Sequence, residues 1–154
     1  MKKILIIIAS FILCGSICFA DDSQDVLKKF NNYVTASNNY SSSMTGYYIN
    51  NAKIIRVVNK KSGGQQAIII PFDRFIKELN NNAKFAKLVS YKNRYENRKI
   101  TKIDENNYKV SALRYPRSDR TGLSCYFIFT RTSNGWKIKE ESMTTNVQTF
   151  LTAK

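Results

Sequence analysis

The chain has 154 residues, a length that fits one domain, and carries 25 Lys and Arg against 11 Asp and Glu, a net charge of +14. It has no histidine, which excludes Ser-His-Asp and Cys-His catalysis and argues against a zinc site, so neither metal nor cofactor is expected. The basic balance points to an anionic partner such as a cell-envelope surface or a polyanion, although a chain this rich in Asn, Lys, Ile and Tyr also acquires such a charge from an AT-rich coding sequence.

The first segment, MKKILIIIASFILCGSICFA, has two lysines, an apolar run and small residues ahead of a cut after Ala20. That pattern is a secretory leader, leaving residues 21–154 as a single exported domain, periplasmic or secreted. An uncleaved membrane anchor is the alternative, but Ser10, Gly15 and Ser16 interrupt the apolar run and Asp21-Asp22 follow at once. Lipid attachment at Cys14 or Cys18 is disfavoured by the bulky Leu13 and Ile17 before them. After cleavage Cys125 is the one remaining cysteine and the net charge is +12, so the domain is held by its core without a disulfide. Cys125 sits in an apolar strand and reads as inert packing.

Within DDSQDVLKKFNNYVTASNN, Val26, Phe30, Tyr33 or Val34, and Ser37 recur at helical spacing. Ser23 is placed to cap this helix, with Asp25 in its first turn and an end near Asn38-Asn39. YSSSMTG is an irregular connection or a short second helix. YYINNAKIIRVV and QQAIII read as strands joined by a turn at NKKSGG. Pro71 suits the first position of a helix that presents Phe72, Phe75, Ile76 and Leu79 on one stripe and dissolves at Asn80–Asn82, with a further turn through Phe85 and Leu88 open. The remainder is sheet. VSYKNRYENRKITKI is a charged strand whose parity changes near Asn97, predicting a bulge. DENN turns into YKVSALRY and places Lys102 opposite Lys109. LSCYFIFTR follows, then a closing hairpin, and NVQTFLTAK is a loosely held tail. The order predicts an α+β fold, a curved antiparallel sheet wrapped on N-terminal helices as a cone-shaped α+β barrel.

FNNYVTASNNYSSSMTGYY, GGQQAIIIPFDRFIKEL and NGWKIKEE, in this order and at this length, resemble the nuclear transport factor 2-like superfamily in its SnoaL-like branch. The resemblance covers nearly all of residues 21–154 and implies a cone with a pocket at its open end. It also implies a spread of roles: isomerases or hydrolases whose pocket carboxylates act as bases, ligand binders, and protein-binding or dimerising modules. Fold alone does not choose among them.

In FTRTSNGWKIKEE, a turn at Asn134-Gly135 pairs Ser133 with Trp136, Arg131 with Ile138 and Phe129 with Glu140. Phe127, Phe129, Arg131, Trp136, Ile138 and Glu140 then share one apolar-rich face, the concave side, where Arg131 and Glu140 are diagonal neighbours. They form either a self-satisfied rim ion pair or a ligand site with Arg131 on an anion. Glu140 is the one candidate general base, and no acid beyond a tyrosine accompanies it. Tyr33, Tyr91, Tyr95 and Tyr108 are candidates to line the pocket beside Phe129 and Trp136. Tyr126, Ile128 and Met143 fall on the outer face, as an association or homodimer surface or as a patch covered by the tail's Val147, Phe150 and Leu151. Lys92, Arg94 and Arg98 share a parity beside the Lys102–Lys109 pair, a face for water or an anionic surface. Nucleic acid is not expected, because the aromatics that would stack on bases point inward. The sequence therefore reads first as a non-enzymatic module binding a small ligand or a protein partner. The alternatives are a small isomerase- or hydrolase-type enzyme using Glu140, and a structural subunit of an envelope secretion assembly.

Overall fold

The computed structural model describes residues 17–117 and 119–152; the leader expected at residues 1–20 lies for the most part outside them. The elements are α1 (Ile17–Asn38), a 3-10 turn (Ser42–Tyr47), β1 (Tyr48–Asn59), β2 (Gln65–Ile70), α2 (Phe72–Leu88), β3 (Asn93–Asp104), β4 (Asn107–Pro116), β5 (Leu123–Thr132), β6 (Gly135–Thr145) and a last 3-10 turn (Gln148–Leu151). The six strands form one curved sheet in the order β2-β1-β6-β5-β4-β3, antiparallel except where β1 runs parallel to β6. Both end strands are edges, so the α+β cone is open and does not close into a barrel.

α1 packs through the predicted stripe, burying Val26, Phe30 and Tyr33. It begins ahead of Ser23, which is an interior helical residue and not the cap. α2 buries Phe75, with Phe72, Ile76 and Leu79 packed against the core. Pro71 is the N-cap and not the first helical residue. The three asparagines do not end this helix. Each costs only a fraction of a kcal/mol, roughly 0.5, relative to alanine, and Ala83 and Ala86 beyond them face a cavity. The sheet's concave face supplies Phe127, whose ring centroid lies 5.2 Å from those of Phe30 and Tyr33. Cys125 is buried in this layer, and burial pushes its thiol up to about 12, as inert packing requires. The tail is not loose: Gln148 donates to the Asn59 carbonyl at 2.7 Å, and Phe150 packs on the core from the concave side, leaving the outer face uncovered by it.

Two strand registers differ from those predicted. The DENN turn pairs Lys109 with Thr101 and Lys102 with Tyr108, so the two lysines are not opposed. The expected bulge is present, with Asn97 at φ +51°, and it also splits the predicted basic row. Arg94 stacks on Tyr115, whereas Arg98 reaches α1 at Asn31.

The closing hairpin turns at Ser133-Asn134, pairing Thr132 with Gly135 and Arg131 with Trp136. Gly135 takes the φ of +84° that this turn demands, and Thr132 Oγ1 donates to the Gly135 carbonyl at 2.6 Å. Moving a two-residue turn by one position changes which residues oppose one another but not which share a face. The face changes further along. Phe129 pairs with Ile138 but Ile128 pairs with Glu140, so Lys139 is an extra residue, a β-bulge. Beyond it Glu141 pairs with Phe127 on the concave side, and Glu140 moves to the outside.

Because Lys139 is the inserted residue, deleting it should leave Ile138 and Glu141 inside, at a cost no greater than about 1.5 kcal/mol. Deleting Lys137 instead turns Ile138 outward and should cost more than about 3 kcal/mol. Urea denaturation of the two deletion variants measures the difference.

Candidate functional site

Strand alternation on β1 points Tyr48, Ile54 and Arg56 inward, and the β6 bulge brings Glu141 to meet them. Glu141 is 1% exposed. Its Oε2 accepts hydrogen bonds from Tyr48 Oη at 2.6 Å and Tyr33 Oη at 3.2 Å. Arg56 Nη1 lies 2.8 Å from Oε1 as an ion pair, with the guanidinium 5.6 Å over the Phe75 ring. Each carboxylate oxygen is thus engaged, Oε2 by the two phenols and Oε1 by the guanidinium.

The electrostatics are coherent. Burial first, then the adjacent Glu141 carboxylate, raises the Tyr33 and Tyr48 phenols well above their ordinary range. Burial also raises Tyr95. Burial alone would push Arg56 toward neutrality, but Glu141 together with Tyr48 and Tyr33 outweighs it and the guanidinium's pKa is raised. The three phenols hold their protons in the folded chain at pH values where unfolded tyrosines lose them. Their stabilising contribution is therefore complete below about pH 10 and is lost progressively above it. The urea midpoint should fall between pH 9 and pH 11, and Tyr48→Phe should make that fall shallower.

This group stands at the wall of two adjoining cavities of about 490 and 370 Å³ that share Arg56, Met44, Phe75, Leu79, Tyr91 and Phe150. The larger is lined also by Tyr33, Tyr48, Tyr95, Arg114 and Glu141. The lining is apolar with a few convergent polar groups, the usual make-up of a small-molecule site. Among the described residues no cluster of side chains is suited to hold a metal ion.

The residues singled out from the sequence divide into three groups. Tyr33, Tyr91 and Tyr95 line the larger cavity. Tyr108, Phe129 and Trp136 are buried core residues that line neither cavity; Tyr108 packs edge-on against Trp136 at 5.4 Å. Arg131 and Glu140 do not meet. Arg131 is 46% exposed, stacks on Trp136 and is paired with Asp22, while Glu140 lies on the outer face, where it accepts from Tyr126 Oη at 2.6 Å and sits 3.5 Å from Lys53. The shifted turn and the bulge together separate them. The same bulge moves Met143 off the proposed outer patch into the larger cavity, leaving Tyr126 and Ile128 outside. Sequence reasoning missed Tyr48, Arg56, Arg114 and Glu141. The available signal was one arginine in each of two otherwise alternating inward registers, in KIIRVV and YKVSALRY.

No family model and no curated protein matches the chain. Solved structures do. An NTF2-like protein with a cystatin-like fold from Novosphingobium aromaticivorans aligns with a TM-score of 0.63 at 8% identity, over 83% of this chain and 84% of that one. A DUF3225-family protein of unknown function from Pectobacterium atrosepticum aligns with a TM-score of 0.63 at 12% identity, over 87% and 98%. The chain has the nuclear transport factor 2-like fold. A provisionally named scytalone dehydratase from Novosphingobium aromaticivorans shares this nuclear transport factor 2-like architecture, with a TM-score of 0.57 at 10% identity over 81% and 84%. At such identities the likeness concerns the fold, and the role of the cavity has to be argued from its own side chains.

Proposed function

We propose that the protein is an exported, non-enzymatic binding module whose cone cavity holds a small, largely apolar ligand with one polar end, met by the charged side chains of the cavity wall. The cavity of about 490 Å³ carries this reading: it is framed by Phe75, Leu79, Met44 and Phe150, and the buried Glu141–Arg56 pair and Arg114 stand in its wall. Catalysis is the second reading, supported by the juxtaposition of a carboxylate with two phenols and by the name given to one fold neighbour. On that reading the base is Glu141, not Glu140. Against it, Glu141 already accepts two hydrogen bonds and neutralises Arg56, an arrangement that favours an ordered anchor over a free base.

The neutral fluorophore N-phenyl-1-naphthylamine tests the binding reading. One saturable site is expected, and Leu79→Trp, which fills the cavity, should weaken it at least about tenfold. Absence of saturable binding to the wild-type chain would refute the reading. Export with cleavage after Ala20 is part of the same proposal, and the intact mass of chain recovered from the cell envelope tests it. Retention of residues 1–20 would favour the secretion-assembly subunit instead. The outer face around Tyr126 and Ile128, with Lys53, Lys109 and Lys137, is the proposed surface for a second copy or an anionic envelope partner.

A further inference from the structure

Arg114 is a second inward arginine, 7% exposed and in the wall of the larger cavity. It differs from Arg56 in one respect: no described carboxylate is in ion-pair contact with it. Its partners are neutral. Nη1 donates to Asn93 Oδ1 at 2.9 Å and to Tyr91 Oη at 3.5 Å, and Nη2 donates to the Thr144 carbonyl at 2.9 Å. Nε is buried with no acceptor. A guanidinium has five N–H donors, and two of these, including Nε–H, are unused in the hydrogen bonds above.

Those neutral partners hold the group in place. Asn93 is clamped to the end of α1, its amide N–H donating to Asn38 Oδ1 at 2.8 Å and its carbonyl accepting from Asn38 Nδ2 at 2.9 Å. The charge is thus oriented directly by Tyr91, by Asn93 of β3 and by Thr144 of β6, with the α1 terminus bracing Asn93. A buried charge without a counter-charge opposes folding, and neutral hydrogen bonds recover only part of its lost hydration. Glu141 does not supply the counter-charge, because its carboxylate is in contact with Arg56. A fixed cation of this kind, at an apolar cavity, matches one class of occupant: a molecule with a carboxylate on an apolar body.

We infer that the cavity selects an amphiphilic carboxylate, with Arg114 as the residue that recognises its anionic end. The inference rests on the binding reading above and adds the charge class of the ligand. Octanoate and its uncharged isostere octanamide are suitable probes, titrated calorimetrically into the full chain. Octanoate should bind at least about tenfold more tightly than octanamide, as a charge-assisted hydrogen bond implies. Arg114→Met should remove that preference and leave octanamide affinity unchanged, while Arg114→Lys, which keeps the charge but loses the fork, should retain part of it. Equal affinity of the wild-type chain for the two probes overturns the carboxylate assignment and leaves the binding reading standing. Failure of both octanoate and octanamide to bind, with N-phenyl-1-naphthylamine also excluded, overturns both. The wild-type comparison needs no variant to fold, and circular dichroism of Arg114→Lys checks the variant arm.

Discussion

Replacing Glu141 by glutamine is expected to lower the unfolding free energy by about 3–5 kcal/mol, whereas Glu140→Gln should change it by no more than about 1 kcal/mol. The two residues are adjacent and identical, and only their surroundings differ. Glu141 is 1% exposed and faces Arg56, itself 13% exposed, so neutralising it leaves a buried guanidinium without its counter-ion. Tyr48 and Tyr33 would at the same time lose a charged acceptor. Glu140 is hydrogen-bonded to Tyr126 and sits 3.5 Å from a half-exposed Lys53, where water and salt replace what is lost. Chemical denaturation of the two variants in the same buffer measures the contrast.

Phe127→Ala should cost about 3–5 kcal/mol, the range for removing a fully enclosed aromatic ring. Its side chain is fully buried and contacts Phe30 and Tyr33 of α1 and Tyr95 of β3, so it joins the centre of the sheet to the helix that covers it. The next residue gives the control. Ile128 points to the outer face, and Ile128→Ala should cost about 1 kcal/mol. Urea midpoints for this adjacent pair report which face of β5 is the core.

Element order, the α1 stripe and the Asn97 bulge were legible in the sequence because each rests on a local pattern: 3.6-residue spacing, strand alternation, or a parity break within one strand. The wrap of the sheet was accessible for the same reason, since short turns leave consecutive strands little choice of neighbour. The site was less legible. Phe127, Phe129, Arg131, Trp136 and Ile138 were placed on the correct face by counting from the turn. The count then failed at Lys139, whose extra residue has no compositional mark: KIKEES alternates equally well with or without it. One unmarked residue was enough to exchange Glu140 for Glu141, and together with the one-position shift of the turn it broke the proposed contact with Arg131. The partners of Glu141 lie far away along the chain, at Tyr33, Tyr48 and Arg56, and reach it because β1 lies beside β6 in parallel. That pairing is a property of the sheet's overall strand order, which no local signal encodes.

The bulge at Lys139, turning Glu141 into the cavity against Arg56, is the claim on which the site depends. A double-mutant cycle with Arg56→Met and Glu141→Leu, measured by urea denaturation, tests it most directly. Each single change should be strongly destabilising and the double change much less than their sum, a coupling of at least about 2 kcal/mol. A coupling within about 0.5 kcal/mol of zero for this pair, especially beside a larger one for Arg131 and Glu140, would contradict the account.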